Sequence, residues 1–143
     1  MTSRGFLHRH SLSLVSLGVI LLLVALYWNA DPSSHHGAFY GNAIADWTGV
    51  LVTVVVTKFL YEKGSTQSKK PKGILASPFL ELLREHSLTI FLVITGVGWA
   101  FLFWRMDANS RWGQVVGNIV SEWTQILGLV LLTKRLIEVG AKR

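Results

Sequence analysis

Four long apolar stretches occupy most of this 143-residue chain, at positions 12–28, 39–60, 88–104 and 115–137. A hydrocarbon core about 30 Å thick takes about 20 apolar residues at about 1.5 Å of helix rise each. The first and third stretches, at 17 residues, are slightly short; the second and fourth are full length but carry polar residues. Four such stretches leave too little polar chain to cover them as the core of a soluble domain. The expected fold is a single all-α membrane domain with transmembrane helices at about 11–28, 38–61, 87–104 and 113–137. Arg4, Arg9 and Ala30 flank the first stretch much as they would a signal peptide. The third stretch matches it from mid-chain, where a signal peptide does not sit, so the first reads as a helix that is kept.

Charge supports the same class. Only 15% of residues are charged and half are apolar, where a soluble domain carries about a quarter charged. This argues against a cytosolic enzyme, a disordered chain or a nucleic-acid binder despite the net charge of +6. The absence of cysteine excludes disulfides, thiolate metal sites, a cysteine nucleophile and iron–sulfur clusters. Twelve of the 14 basic residues lie in the amino terminus, the middle connection and the carboxyl end, leaving Arg105 and Arg111 by the loop after span three. The positive-inside rule then puts both termini and the middle connection in the cytoplasm. The basic charge is a topology signal, with a secondary attraction of Lys69, Lys70 and Lys72 to anionic lipid.

Shifted by 76 residues, the chain matches itself without a gap from His10 to Gly64. His10-Ser11-Leu12 falls on His86-Ser87-Leu88, Trp28 on Trp104, Asp31 on Asp107, Gly41-Asn42 on Gly117-Asn118, Thr57-Lys58 on Thr133-Lys134 and Glu62 on Glu138. Composition bias aligns Leu with Leu, but not Trp, Asp, Asn and Gly in one register. Two copies of a two-helix unit (10–64 and 86–140) have the same orientation in a membrane. They predict a pseudo-twofold axis along the membrane normal. The 65–85 linker reads as a cytoplasmic connection. Its 79–84 stretch after Pro78 is either a short amphipathic surface helix or simply the approach to span three.

The second helix of each copy carries the chemistry. Gly37, Gly41 and Gly49, with Gly113 and Gly117 in the other copy, form small-residue stripes suited to close helix packing, between the copies or between protomers. Asn42 and Asp46, against Asn118 and Glu122, are spaced i, i+4 and share one helix face. Thr53, Thr57, Gln125 and Thr133 extend it. Asp46 precedes Lys58 by 12 residues, which lifts it about 18 Å above the cytoplasmic end by helix rise. Intramembrane acids are costly and face a bundle interior or a wet path. Two readings stand for Asn42, Asp46, Asn118, Glu122 and Gln125. One is a pair of symmetry-related carboxylates lining an ion or proton pathway. The other is a structural cluster of interhelical hydrogen bonds worth about 0.6–2 kcal/mol each.

Other residues draw plainer readings. Trp28, Trp104 and Trp112 are expected as interface anchors, and Trp47 and Trp123 as packed rings. Lys58, Lys134 and Arg135 are expected to snorkel at the inner ends. Asp31 and Asp107 read as helix caps, and His10 and His86 as caps or interface residues. Adjacent His35 and His36 make poor metal geometry on one helix, so no metal and no cofactor are expected. No nucleophile elbow, zinc-protease, P-loop or haem-attachment motif occurs, and the chain is not expected to be an enzyme.

At Gly64-Ser65-Thr66-Gln67-Ser68-Lys69, Glu85-His86-Ser87-Leu88 and Asn118-Ile119-Val120-Ser121-Glu122-Trp123, the chain resembles a family of small bacterial four-helix membrane proteins built from two tandem two-helix repeats, to which no activity is assigned. The first copy departs from its motif, with Ala45-Asp46-Trp47 in place of Ser-Glu-aromatic. The resemblance implies a bacterial inner membrane and points again to Asp46 and Glu122. The expected function is an oligomeric ion or proton channel or transporter. The alternative is a non-transporting accessory or scaffold subunit packed against a larger membrane complex. The expected partners are the lipid bilayer and either further copies of the chain or that complex, with no nucleic acid.

Overall fold

The computed structural model describes residues 3–63, 77–134 and 136. Six helices account for nearly all of them: α1 (Ser3–Arg9), α2 (Ser11–Asn29), α3 (His35–Phe59), α4 (Pro78–Glu85), α5 (Ser87–Arg105) and α6 (Arg111–Leu132). Four of these, α2, α3, α5 and α6, are long and apolar enough to cross a membrane. Only 11–28% of each is buried inside the protein. Much of the remainder is an apolar exterior, with Leu21, Leu22, Val97 and Phe101 all more than half exposed. A water-soluble core helix is not left in that state.

Of the two short helices, α4 realises one of the two readings of the 79–84 stretch, and α1 departs from the expectation. α4 forms after Pro78, which pre-sets φ at the first helical position, and Arg84 pairs with Glu81 at 2.7 Å across one turn. Its Phe79, Leu80 and Leu82 remain exposed, as on a helix lying against an apolar surface. α1 was not expected at all; with seven residues it is too short for periodicity to reveal. α6 ends at Leu132 with Thr133 as its cap, short of the expected 137. Position 137, the lysines 69, 70 and 72, Arg135 and Glu138 lie outside the described residues.

Helices α3 and α6 pack against each other in the middle, α2 against α3, and α5 against α6. All four run between a loop end (residues 30–34 and 106–110) and a linker end (residues 60–63, 86–87 and 133–134). The buried set comprises Leu23, Tyr27, Ala43, Ile44 and Ala45 on the first two, and Leu88, Leu92, Val115, Ile119, Trp123 and Val130 on the last two.

The two loops are built by the same device. Ser34 Oγ accepts from Gly37 N–H at 3.0 Å and donates to the Asp31 carbonyl at 2.6 Å. Ser110 does the same with Gly113 and Asp107, at 3.0 and 2.6 Å. The serines are the N-caps, correcting the expectation for the aspartates. The Asp31 carboxylate instead folds the turn ahead of the cap by accepting from the Ser33 hydroxyl at 2.7 Å and its N–H at 2.9 Å. Those two bonds hold its carboxyl below the usual range. The caps also explain Gly37 and Gly113. A Cβ on either would run into the backbone carbonyl of Asp31 or Asp107. Gly37→Ala and Gly113→Ala are each expected to cost about 1–3 kcal/mol, because backbone must shift to admit the methyl. Thermal melts in detergent check this, with Gly18→Ala, which meets open space, as the unaffected control.

Candidate functional site

The seam between α3 and α6 brings most of the expected site residues together. Near the loop end the Asn118 amide donates to the Asn42 carbonyl oxygen at 2.5 Å. One turn further along both helices, the Asp46 and Glu122 carboxyls face each other within hydrogen-bonding reach. The i, i+4 spacing sets the two pairs one above the other, as the sequence required. One turn further again, α3 presents Gly49. A Cβ there would stand 2.9 Å from Glu122 Oε2 and 3.6 Å from Ile126 Cδ1, so the missing side chain lets the α3 backbone close onto Glu122. Gln125 is not drawn into this cluster and stands exposed on α6.

The other glycines work differently from the expected stripe. Gly41 receives the Tyr27 ring, whose Cε2 would lie 3.0 Å from an added Cβ, and Gly117 receives the Phe103 ring at 2.7 Å. These are contacts of α3 with α2 and of α6 with α5. Of the five predicted packing glycines, Gly49 is the one that serves the α3–α6 seam.

Above the Asn42–Asn118 bond a cavity of about 450 Å³ opens at the loop end, lined by Tyr27, Gly41, Phe103, Gln114 and Gly117. Its wall is braced by a reciprocal contact between α2 and α6. Tyr27 Oη donates to the Arg111 carbonyl at 2.7 Å, and the Arg111 guanidinium donates back to the Tyr27 carbonyl. Trp112 stacks on the Tyr27 ring at 5.5 Å. Trp112 is therefore half-buried packing, whereas Trp28 and Trp104 stay 66% and 86% exposed, in keeping with interface anchors. Trp123 is buried and donates to Thr95 Oγ1 at 2.8 Å; Trp47 is exposed.

Towards the linker end the seam turns apolar. Val52, Val56, Leu88, Leu92, Ile126 and Val130 surround a space of only about 50 Å³. Thr53 and Thr57 border it, but the Thr57 hydroxyl is spent on the Thr53 carbonyl at 2.5 Å. The polar line from the cavity through the carboxyl pair stops at this plug.

Beneath the plug lies a cluster that the sequence reading missed. Glu62 is 1% exposed. Its Oε1 accepts from Lys134 Nζ at 2.9 Å and lies 2.6 Å from His86 Nδ1. Burial pushes the Glu62 carboxyl up, but its bonds to Lys134 and His86 outweigh it and hold the group below the usual range. Backbone bonds fasten the same place: Lys63 N–H to the Glu85 carbonyl at 2.7 Å and Leu88 N–H to the Tyr61 carbonyl at 3.0 Å. His86 is thus a charge partner and makes no cap bond to α5. Lys134 is tied to Glu62 as well as being exposed at the helix end. The signal was present in the 76-residue register, which aligns His10 with His86, Lys58 with Lys134 and Glu62 with Glu138. Each alone reads as a surface residue.

Among the described residues no group of three or more His, Cys, Asp or Glu is placed to hold a metal ion. The arrangement sets two carboxyls, which can hold a proton between them, one helical turn below a polar cavity. No family model, no curated protein and no solved structure matches this chain, so the site is read from its own geometry.

Proposed function

We propose that this chain is a small integral membrane protein that carries protons, with Asp46 and Glu122 at the α3–α6 seam as the carrier pair that exchanges them with the loop-end cavity. The observation that carries the reading is the meeting of these two carboxyls directly beneath an open polar cavity. Two carboxyls set side by side can share one proton between them, which gives the pair a proton to release and a site to refill. The loop end faces outside and the termini and linker face the cytoplasm, as the basic residues require. The membrane is the bacterial inner membrane that the family resemblance implies.

The two halves are copies related by a pseudo-twofold along the membrane normal. Several contacts 76 residues apart support this. The caps Ser34 and Ser110, the rings Tyr27 and Phe103 on Gly41 and Gly117, and the mutual Asn42–Asn118 bond all correspond. A non-transporting accessory subunit is the second reading. Gly18 and Gly98, with open space where a Cβ would stand, suit the close approach of a foreign helix.

Acidification of liposomes under an imposed potential tests the proposal. Vesicles holding the wild-type protein are expected to take up protons well above empty vesicles. Asp46→Asn combined with Glu122→Gln returns them to the empty rate. Wild-type vesicles that behave like empty ones would overturn conduction, and a fully active double variant would remove these residues from it.

A further inference from the structure

We propose that a second copy of this chain covers the open face of the α3–α6 seam, so that each protomer's site is completed by its partner. The proposal rests on the membrane-spanning reading above. At the depth of the carboxyl pair the outward surfaces of α2 and α5 are apolar, with Leu21, Leu22, Val97 and Phe101 facing out. The seam breaks this pattern. On α3, Asn42 and Asp46 are exposed one turn apart. On α6, Gln114, Ser121 and Gln125 are exposed, and half-buried Asn118 lies among them at spacings of four, three and four residues, which is one continuous helix face. Among the described residues, the Ser121 hydroxyl and the Gln125 amide meet no hydrogen-bond partner within the chain.

Lipid can satisfy none of these groups, and an acid left facing it is costly. The distribution of chemistry selects the occupant. The carboxylate acceptor Asp46 is on α3, while the unused hydroxyl and amide donors of Ser121 and Gln125 are on α6. A twofold axis parallel to the helices sets α3 of one protomer against α6 of the other. Asp46 of each protomer then meets the Ser121 and Gln125 donors of the other, twice over. That self-complementarity is the requirement of an isologous dimer. A single foreign helix would match only one of the two rows. Gln125 is three residues beyond Glu122, about 4.5 Å along the axis, within reach of an amide side chain from the level of the partner's Asp46.

The chain has no cysteine, so engineered thiols report without background. Two differently tagged populations, Val50→Cys and Gln125→Cys, are reconstituted together in liposomes at high lipid-to-protein ratio and oxidised. Leu22→Cys and Phe101→Cys, on the outward faces of α2 and α5, serve as controls. A mixed Val50–Gln125 dimer is expected to form about tenfold faster than any control pair, because the contact raises the local thiol concentration. Single-molecule counting of wild-type protein at the same dilution is expected to return two copies. Cross-linking no faster than at the controls overturns the proposal. So does alkylation of Gln125→Cys by a membrane-impermeant maleimide as fast as a thiol at loop residue Ser33, which would make the face a water-filled groove. Cross-linking needs no flux: a dimer without proton uptake overturns the conduction reading alone, and proton uptake by single copies overturns this proposal alone.

Discussion

Lys134→Met is expected to lower the stability of the protein by about 1–3 kcal/mol, the cost of leaving the enclosed Glu62 carboxylate short of a charged donor. Glu62 is almost wholly enclosed, and Lys134 supplies a charged donor to it at 2.9 Å. Without that ammonium the carboxylate keeps His86, itself partly exposed. Adding Glu62→Gln to Lys134→Met removes the stranded charge and is expected to recover much of the loss. The cluster also sets an acid limit. Because the Glu62 carboxyl titrates below its ordinary range in the folded protein, its contribution is fully present above that range. It is lost as pH falls through the depressed value. Glu62→Gln is expected to flatten the acid limb of a melting-temperature profile, and Lys134→Met to move it to higher pH. A Lys134→Met protein that melts with the wild type across neutral pH would show that the cluster holds nothing together.

Glu122→Gln alone is expected to separate stability from transport. Glutamine matches glutamate in size and gives Asp46 a permanent N–H donor, so the bond across the seam survives without a second acid in the spans. Melting is therefore expected at or above the wild-type temperature. Proton uptake is expected to fall on the order of a hundredfold, the usual loss when a positioned proton donor is removed. Asp46→Asn is expected to behave alike. A single variant that loses stability and keeps its flux would reverse the assignment and make the pair structural. Gln125, outside the cluster, provides the comparison: Gln125→Ala is expected to leave the carboxyl pair and single-chain stability unchanged.

Much of the architecture was legible from short-range rules. The helix boundaries of α2, α3 and α5 follow the apolar runs to within a few residues, because a long apolar helix needs no partner to be recognised. The pairing of Asn42 with Asn118 and of Asp46 with Glu122 was foreshadowed by the repeat register and the i, i+4 spacing. The glycines illustrate the limit. Gly37, Gly41 and Gly49 share one spacing and one face in the sequence, yet each admits a different neighbour: a loop carbonyl, a tyrosine ring and a carboxylate. Spacing tells that something approaches closely, but not what approaches.

The sequence by itself determined the four long helices, which face of α3 and α6 is polar, and how many helices are long and apolar enough to cross a membrane. Those properties depend on composition and helical period alone. Tertiary structure decided three things. It put α3 and α6 in the centre with α2 and α5 outside. It left the seam open at the loop end and closed at the linker end by Leu88, Leu92 and Val130. It gathered Glu62, His86 and Lys134, from three segments up to 72 residues apart, into one ion cluster around the buried Glu62 carboxylate. Such contacts arise from how helix surfaces interlock, and the side chains involved carry no local periodicity from which that interlocking can be read.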